Sequence, residues 1–580
     1  MRKLTEWSRL AAVVAVLGAG CKSLEVVNPN APDAARAFSD PAAVAGLVTG
    51  AIRGWVQTRQ SYDGALVLST MADAYTASWN NFNLRYYTSY GNECPNRCGW
   101  ENNPTSTFRF EIENFWYGYY SLLSSVNDVL KAIRVNDVTI GDVPNTKMLE
   151  AVSVMMQGVV FANIAMNYDQ GFVVTEATDL SNPLTLPTVP RAEMRDSALA
   201  KFDQAIALMQ ATPFAATPST WLGATNGPSY TSAQMIQLIH TMKAEALANF
   251  PRNAAENATV DWAKVTTEAS QGISSGTPFD YKFFDDLGQN MLDGEKNWSN
   301  DITTMRVDTR LAHIITNGPD PSKIHATPWP EPQGNPQPNA FDKRVGDGTW
   351  GPTNDFLGVG TKAQTANGGT DFAFAGVAIF RAARGQYHQS NLGQIRFSYL
   401  AYPGYGLPTE NGTGLAAVYT ATVNDLLWAE GLLRSGGSAA LAATKINKTR
   451  VTRGGLSALT GAEGTAALIN ALQYEQEVEE LGINALPFYN RRRGTPEGWT
   501  LTAACPAIIC LWPDTPRQMP IPAKELSILQ KELYSFGGPG KPDFSPASFE
   551  NGQPVWSARQ IGDAIRKSEL EAGRRHRRTF

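Results

Sequence analysis

The chain has 580 residues, a formal net charge of −5 and a hydrophobic fraction of 43%, with 10% aromatics. That composition excludes an intrinsically disordered chain and leaves ample apolar surface for a large core. The acidic balance excludes a basic footprint for nucleic acid, and the one basic cluster, Arg574-Arg-His-Arg-Arg578, reads as a solvated tail.

The first element is a signal sequence. Arg2, Lys3 and Arg9 precede or open an apolar run from Leu10 to Leu17, and small residues lead into Cys21. Basic start, apolar stretch and small residues before a cut are the parts of a secretory signal. A cysteine directly after them points to a bacterial lipoprotein signal, with Cys21 as the new N-terminus and lipid attachment point after removal of residues 1–20. An ordinary signal with an incidental cysteine is the alternative. A stable span needs about 20 apolar residues. This run is shorter, and no later stretch reads as long enough either. The expectation is a body outside the bilayer, tethered by lipid at one end.

Helical periodicity dominates the chain beyond the signal. Tyr119, Leu122, Val126, Leu130 and Ile133 fall at spacings of three and four, as do Leu199, Phe202, Ile206 and Met209. Ile236, Ile239, Lys243, Leu247 and Phe250 trace a third stripe, stopped by Pro251. Two further helices are predicted over 420–434 and 438–450, joined by Ser435-Gly-Gly437. Lys243-Ala-Glu-Ala-Leu247 and Trp428-Ala-Glu-Gly-Leu432 resemble each other, and their small residues would let helices approach closely. This suggests stacked helical hairpins of the tetratricopeptide type, although no regular 34-residue period is visible. Residues 275–420 differ. They are rich in Gly, Pro, Asn, Asp and aromatics, and read as long ordered loops with a few short strands. The predicted organisation is therefore a helical scaffold over 21–274, a loop-rich cap segment over 275–420 and a C-terminal helical part over 421–580.

Four cysteines besides Cys21 fall in two local pairs, Cys94 with Cys98 and Cys505 with Cys510. In an oxidising compartment these read as two small disulfide-closed loops. A four-thiolate zinc site is the alternative, and no metal is expected. Signals for catalysis are poor. Gly272-Ile-Ser-Ser-Gly276 matches the nucleophile-elbow pattern, but a helical run precedes it where a strand is required. The five histidines form no metal-spaced pair, and no cofactor is indicated. A pair of carboxylates meeting in space could still serve a glycosidase.

The aromatic signal is better. Residues 75–120 hold 14 aromatics, about three times the chain's average density. Phe115-Trp-Tyr-Gly-Tyr-Tyr120 begins a helix and reads as core. Tyr75, Trp79, Phe82, Tyr86, Tyr87 and Tyr90 are instead interleaved with Asn80, Asn81 and Arg85. Aromatic faces beside amides and a guanidinium suit a sugar, whose C–H face stacks while its hydroxyls take hydrogen bonds. They also suit a protein interface or an internally packed helix face.

Several segments in order resemble the SusD/RagB family of nutrient-binding outer-membrane lipoproteins. Leu24-Glu-Val-Val-Asn-Pro-Asn30 is similar to the family's opening, and Phe38 to Ile52 to its first helix. Met148 to Phe161, with Tyr168 and Gly171, resembles the helix leading to a tyrosine-glycine turn. Val189-Pro-Arg-Ala-Glu193 through Leu208 and Trp262 through Gly276 resemble the next helices. Trp428 to Arg434, Ile446 to Arg450, Tyr474 to Gly482 with Arg491-Arg-Arg493, and Met519-Pro-Ile-Pro522 complete the series. Ile483-Asn-Ala-Leu-Pro-Phe-Tyr-Asn490 departs from the family's pattern.

The resemblance implies an all-α, tetratricopeptide-like scaffold with a loop-rich cap and no catalysis. It implies a surface-exposed lipoprotein of the outer membrane that captures a glycan or peptide. The partner it implies is a SusC-like TonB-dependent β-barrel transporter. Ligand sites in that family use loop aromatics. The candidates here are Trp79, Asn80, Asn81, Arg85, Tyr86 and Tyr87, with Trp298 and Trp350 after them. The competing functions are a helical glycan-cleaving enzyme and an envelope scaffold without a small ligand.

Overall fold

Capping side chains set where six of the ten helices named below begin in this computed structural model. The structure describes residues 40–77, 84–88, 97–299, 305–317, 342–345, 371–374, 392–394, 396, 413–496, 510–536, 549–550 and 553–554. Helix α1 (Pro41–Arg59) starts where the Asp40 side chain accepts from the Ala42 N–H, with proline in the first turn. After α2 (Phe110–Arg134), α3 (Val143–Asn167) is capped by Asp142, which accepts from Asn145 at 2.7 Å. Helix α4 (Arg191–Ala211) is followed by α5 (Ser232–Ala248), which opens with a reciprocal capping box between Thr231 and Gln234. Asp261, Thr420 and Ser438 cap α6 (Trp262–Ser270), α7 (Ala421–Arg434) and α8 (Ala439–Arg450). Helices α9 (Thr465–Glu479) and α10 (Leu486–Gly494) close the series.

Each of these helices from α1 to α8 packs against the next in sequence, and α9 returns onto α7 and α8. This is the packing of stacked helical hairpins, as the stripes predict. The residues of the first two stripes are all buried. The third is rotated. Met235, Leu238, Ile239 and Met242 face the core, whereas Ile236, Leu247 and Phe250 are half-buried at its edge.

Helix α3 runs through the centre. Among the described residues it is the one helix long and apolar enough to cross a membrane, which corrects the reading that no later stretch qualifies. Its apolar window is entirely buried inside the protein, so its all-round hydrophobicity is that of a core helix with neighbours on every side.

Helices α6 and α7 pack directly although the cap segment separates them in sequence. The chain leaves through strand Tyr281–Asp285 and returns through Gly414–Tyr419, antiparallel, with Tyr281 opposite Tyr419 and Asp285 opposite Gly414. The cap is thus an insertion between two helices in contact. A second small core, around Leu426, Ala429, Ile446, Leu468 and Leu472, holds α7, α8 and α9 together.

Candidate functional site

The aromatic segment begins at a residue held in the left-handed region, Asp73, whose φ is 52°. Its carboxylate lies under the guanidiniums of Arg97 and Arg491. Burial opposes ionisation there, but the two arginines hold the carboxyl below the usual range. The chain then enters strand Tyr75–Ala77, paired antiparallel with Met305–Val307 of the cap. Tyr75 is buried and donates to Gln394 at 2.6 Å, a second link to the cap.

A short helix, Leu84–Thr88, packs on this strand and on helix Val67–Met71. Tyr87 points into the protein from it. Its ring lies 5.2 Å from that of Trp100, and its hydroxyl donates to Glu111. Tyr87 is fully buried and presents no face to a ligand, so its role in the described structure is packing. Tyr86 meets Tyr87 edge-on at 5.3 Å and is half-buried. Trp298, in helix Gly294–Ser299, is also half-buried against the core. Arg85 has its backbone in the short helix. Trp79, Asn80, Asn81 and Trp350 lie outside the described residues, as do Cys21, Cys94 and Cys505. Cys98 and Cys510 are each disulfide-bonded.

The base of the cap is joined to the scaffold by a buried polar cluster. Lys296 donates to Asp293 at 2.6 Å and to the Ala417 carbonyl at 2.7 Å. Gln60 of the scaffold donates to the same Asp293, and Ser69 donates to Glu295. Burial, and then the neighbouring Asp293 charge, push the Glu295 carboxyl up to about 8. Burial likewise raises Asp285, at the end of its strand, to about 7.

The Glu-rich helix is the largest feature whose role the sequence left open. Its acids are buried and paired with arginines brought from far away. Arg344 binds Asp342, Glu475 and Glu479; Arg310 binds Glu477 at 2.6 Å; Arg396 and Arg453 also reach Glu479. Arg310, Arg344 and Arg396 all belong to the cap segment, so α9 fastens these described parts of it. Of the three consecutive arginines, Arg491 binds Asp73 and Arg493 binds Glu430, while Arg492 donates to the carbonyls of Met166, Asn249 and Arg517. Arg493 and Arg434 offset the cost of burial at Glu430 and hold it down to about 2.

The elbow motif is also structural. Ser274 is buried and accepts from the Asn424 side chain at 2.7 Å, following a helix rather than a strand. Among the described residues no group of three or more His, Cys, Asp or Glu side chains is placed to hold a metal ion.

No protein-family model and no curated protein match this sequence. Solved structures do. A SusD superfamily protein from Parabacteroides distasonis is similar over 84% of this chain and 97% of its own, with a TM-score of 0.56 at 11% identity. A SusD-like carbohydrate binding protein from Bacteroides fragilis matches over 78% and 86%, with a TM-score of 0.52 at 13% identity. A SusD homolog, also from Parabacteroides distasonis, matches over 84% and 93%, with a TM-score of 0.50 at 11% identity. The chain has the SusD-like fold. The SusD-like scaffold survives at such low identity because a burial pattern, more than particular residues, specifies a helical stack.

Proposed function

We propose that this protein is a non-catalytic, substrate-binding lipoprotein of the outer membrane. It captures a glycan and delivers it to a TonB-dependent β-barrel transporter. The observation that supports this most is the breadth of the fold likeness, which takes in nearly the whole length of the Parabacteroides distasonis protein. The likeness to a protein described as carbohydrate binding favours a glycan over a peptide. The lipoprotein signal ending at Cys21 supplies the anchor.

Binding in this reading falls to Trp79, Asn80, Asn81, Arg85 and Tyr86, with Trp298 and Trp350 on the cap side. Stacking on aromatic faces gives affinity without requiring deep enclosure, and amides and a guanidinium read hydroxyl positions. Closure of the protein over a barrel removes water from both sides of the ligand. The affinity must stay modest enough for release inward. The segment Asn28-Pro-Asn-Ala-Pro32, between anchor and first helix, acts as the tether. Local pairing of Cys94 with Cys98 and of Cys505 with Cys510 would close two small loops in the oxidising compartment this location implies.

The test is a detergent pull-down from native membranes with a tagged protein that retains Cys21. Recovery of a large TonB-dependent barrel in near-equal amount supports the reading. A protein that fractionates with the outer membrane but brings down no barrel overturns the delivery role.

A further inference from the structure

Away from the aromatic segment, a cavity of about 360 Å³ opens between the start of α4, the end of α5 and the turn that leads into α6. One wall is apolar, made by Leu199, Leu247 and Phe250. The rim is mixed, with Arg191, Arg195 and Lys264 alongside Asp196, Glu256 and Asp261. Arg191 and Arg195, one turn apart, place their guanidiniums 3.9 Å and 4.4 Å from the centre of the Phe250 ring.

The two arginines are held differently. Arg191 is immobilised, donating to the Phe250 carbonyl at 2.8 Å and pairing with Glu256. Arg195 pairs with Asp196, whose side chain is 65% exposed at the solvent edge. Its Nη1 makes no hydrogen bond among the described residues. Lys264, across the cavity, is exposed and makes no ion pair among them; the nearby Asp261 carboxylate is engaged in capping α6 through the Lys264 N–H.

Behind the cavity the buried charge leans positive, with Glu256 and Asp169 set against three guanidiniums. Arg252 and Arg492 are fully buried there and are satisfied largely by neutral oxygens. Arg252 donates to the Tyr168 carbonyl and the Gln518 amide, and Arg492 to three carbonyls. Burial lowers the proton affinity of Arg191, Arg252 and Arg492; neighbouring guanidiniums lower it further, and Glu256 partly offsets both. With Asp169, Asp196, Glu256 and Asp261 set against Arg191, Arg195, Arg252, Arg492 and Lys264, the charge behind and around this partly apolar cavity is net positive by one. An anion entering it gains from that field at an effective dielectric well below that of water.

We propose that this cavity binds a small carboxylate-bearing molecule with an apolar face, such as a uronic acid. The carboxylate lies between Arg195 and Lys264, and the ring rests on Leu199 and Leu247. This is a second site, independent of the delivery reading, because no residue of the aromatic segment lines it.

Titration calorimetry of the full-length mature chain tests the proposal with three probes: galacturonate, benzoate and neutral galactose. The expected result is saturable binding of at least one acid, no matching binding of galactose, and at least a tenfold loss of acid affinity in Arg195→Ala. Thr259→Trp, an exposed change at the mouth, gives the same loss by filling the space, and Trp79→Ala leaves acid binding intact. Binding of galacturonate alone marks a sugar-acid site and binding of benzoate alone an aromatic-acid site; both support the proposal. Failure of both acids, equal binding of galactose, or unchanged affinity in both cavity variants overturns it. Circular dichroism confirms that the variants fold.

Discussion

Arg344 is completely buried and meets three carboxylates, those of Asp342, Glu475 and Glu479. Removing one member of such a cluster leaves charge without a partner in a medium that solvates it poorly. Arg344→Met should lower unfolding free energy by about 3–5 kcal/mol, read as a reduced midpoint in urea. Glu295 carries the opposite electrostatic lesson. Burial and Asp293 raise its carboxyl from 4.5 to about 8, so the folded state retains a proton that the unfolded state releases. Its contribution to stability is full below about pH 4.5 and is lost as pH rises through about 8. Over that window stability should fall by at most about 1.4 kcal/mol per pH unit from this group. Glu295→Gln should flatten the profile between pH 5 and 8 in denaturant titrations, and an unchanged slope would show that Glu295 does not carry it.

Among the elements, the contacts that matter most are those where helix backbones come close. Gly431 of α7 lies against α6, and a Cβ there would stand 2.5 Å from the Thr266 hydroxyl and 2.9 Å from its backbone nitrogen. The small residues of Trp428-Ala-Glu-Gly-Leu432 thus have a packing cause. Gly431→Val should destabilise by about 1–3 kcal/mol through overpacking, checked by thermal or urea unfolding. A loss below 0.5 kcal/mol would mean that the two helices can separate at little cost. Because α6 and α7 flank the cap insertion, strain at this contact should also loosen the Tyr281–Asp285 and Gly414–Tyr419 ribbon. Hydrogen exchange at those strands would report it.

For the whole molecule, the cap is an insertion whose ends are pinned by a two-stranded ribbon and whose arginines fasten to α9. Scaffold and cap base therefore form a rigid platform on which binding loops can be carried. If Cys21 is the lipid attachment point, Cys21→Ser should move the protein from the membrane pellet to the soluble fraction after cell lysis. Retention in the pellet would place the anchor elsewhere.

The helical hairpins were legible in the chain because apolar stripes repeat at helical spacing and glycine and proline breaks act locally. The order of motifs along the chain was enough to indicate the SusD-like fold. Three things needed the tertiary structure. Tyr87 and Tyr86 are adjacent aromatics of the same type, and only the position of Glu111 and Trp100 makes one core and leaves the other half-exposed. The acids of α9 look like a solvated face in sequence, and only arginines arriving from the cap, more than 80 residues away, turn them inward. The cavity beside Phe250 depends on α4, α5 and the turn into α6 converging. Local periodicity is a property of neighbours in the chain, whereas burial of charge and the shape of a cavity depend on residues that only folding brings together.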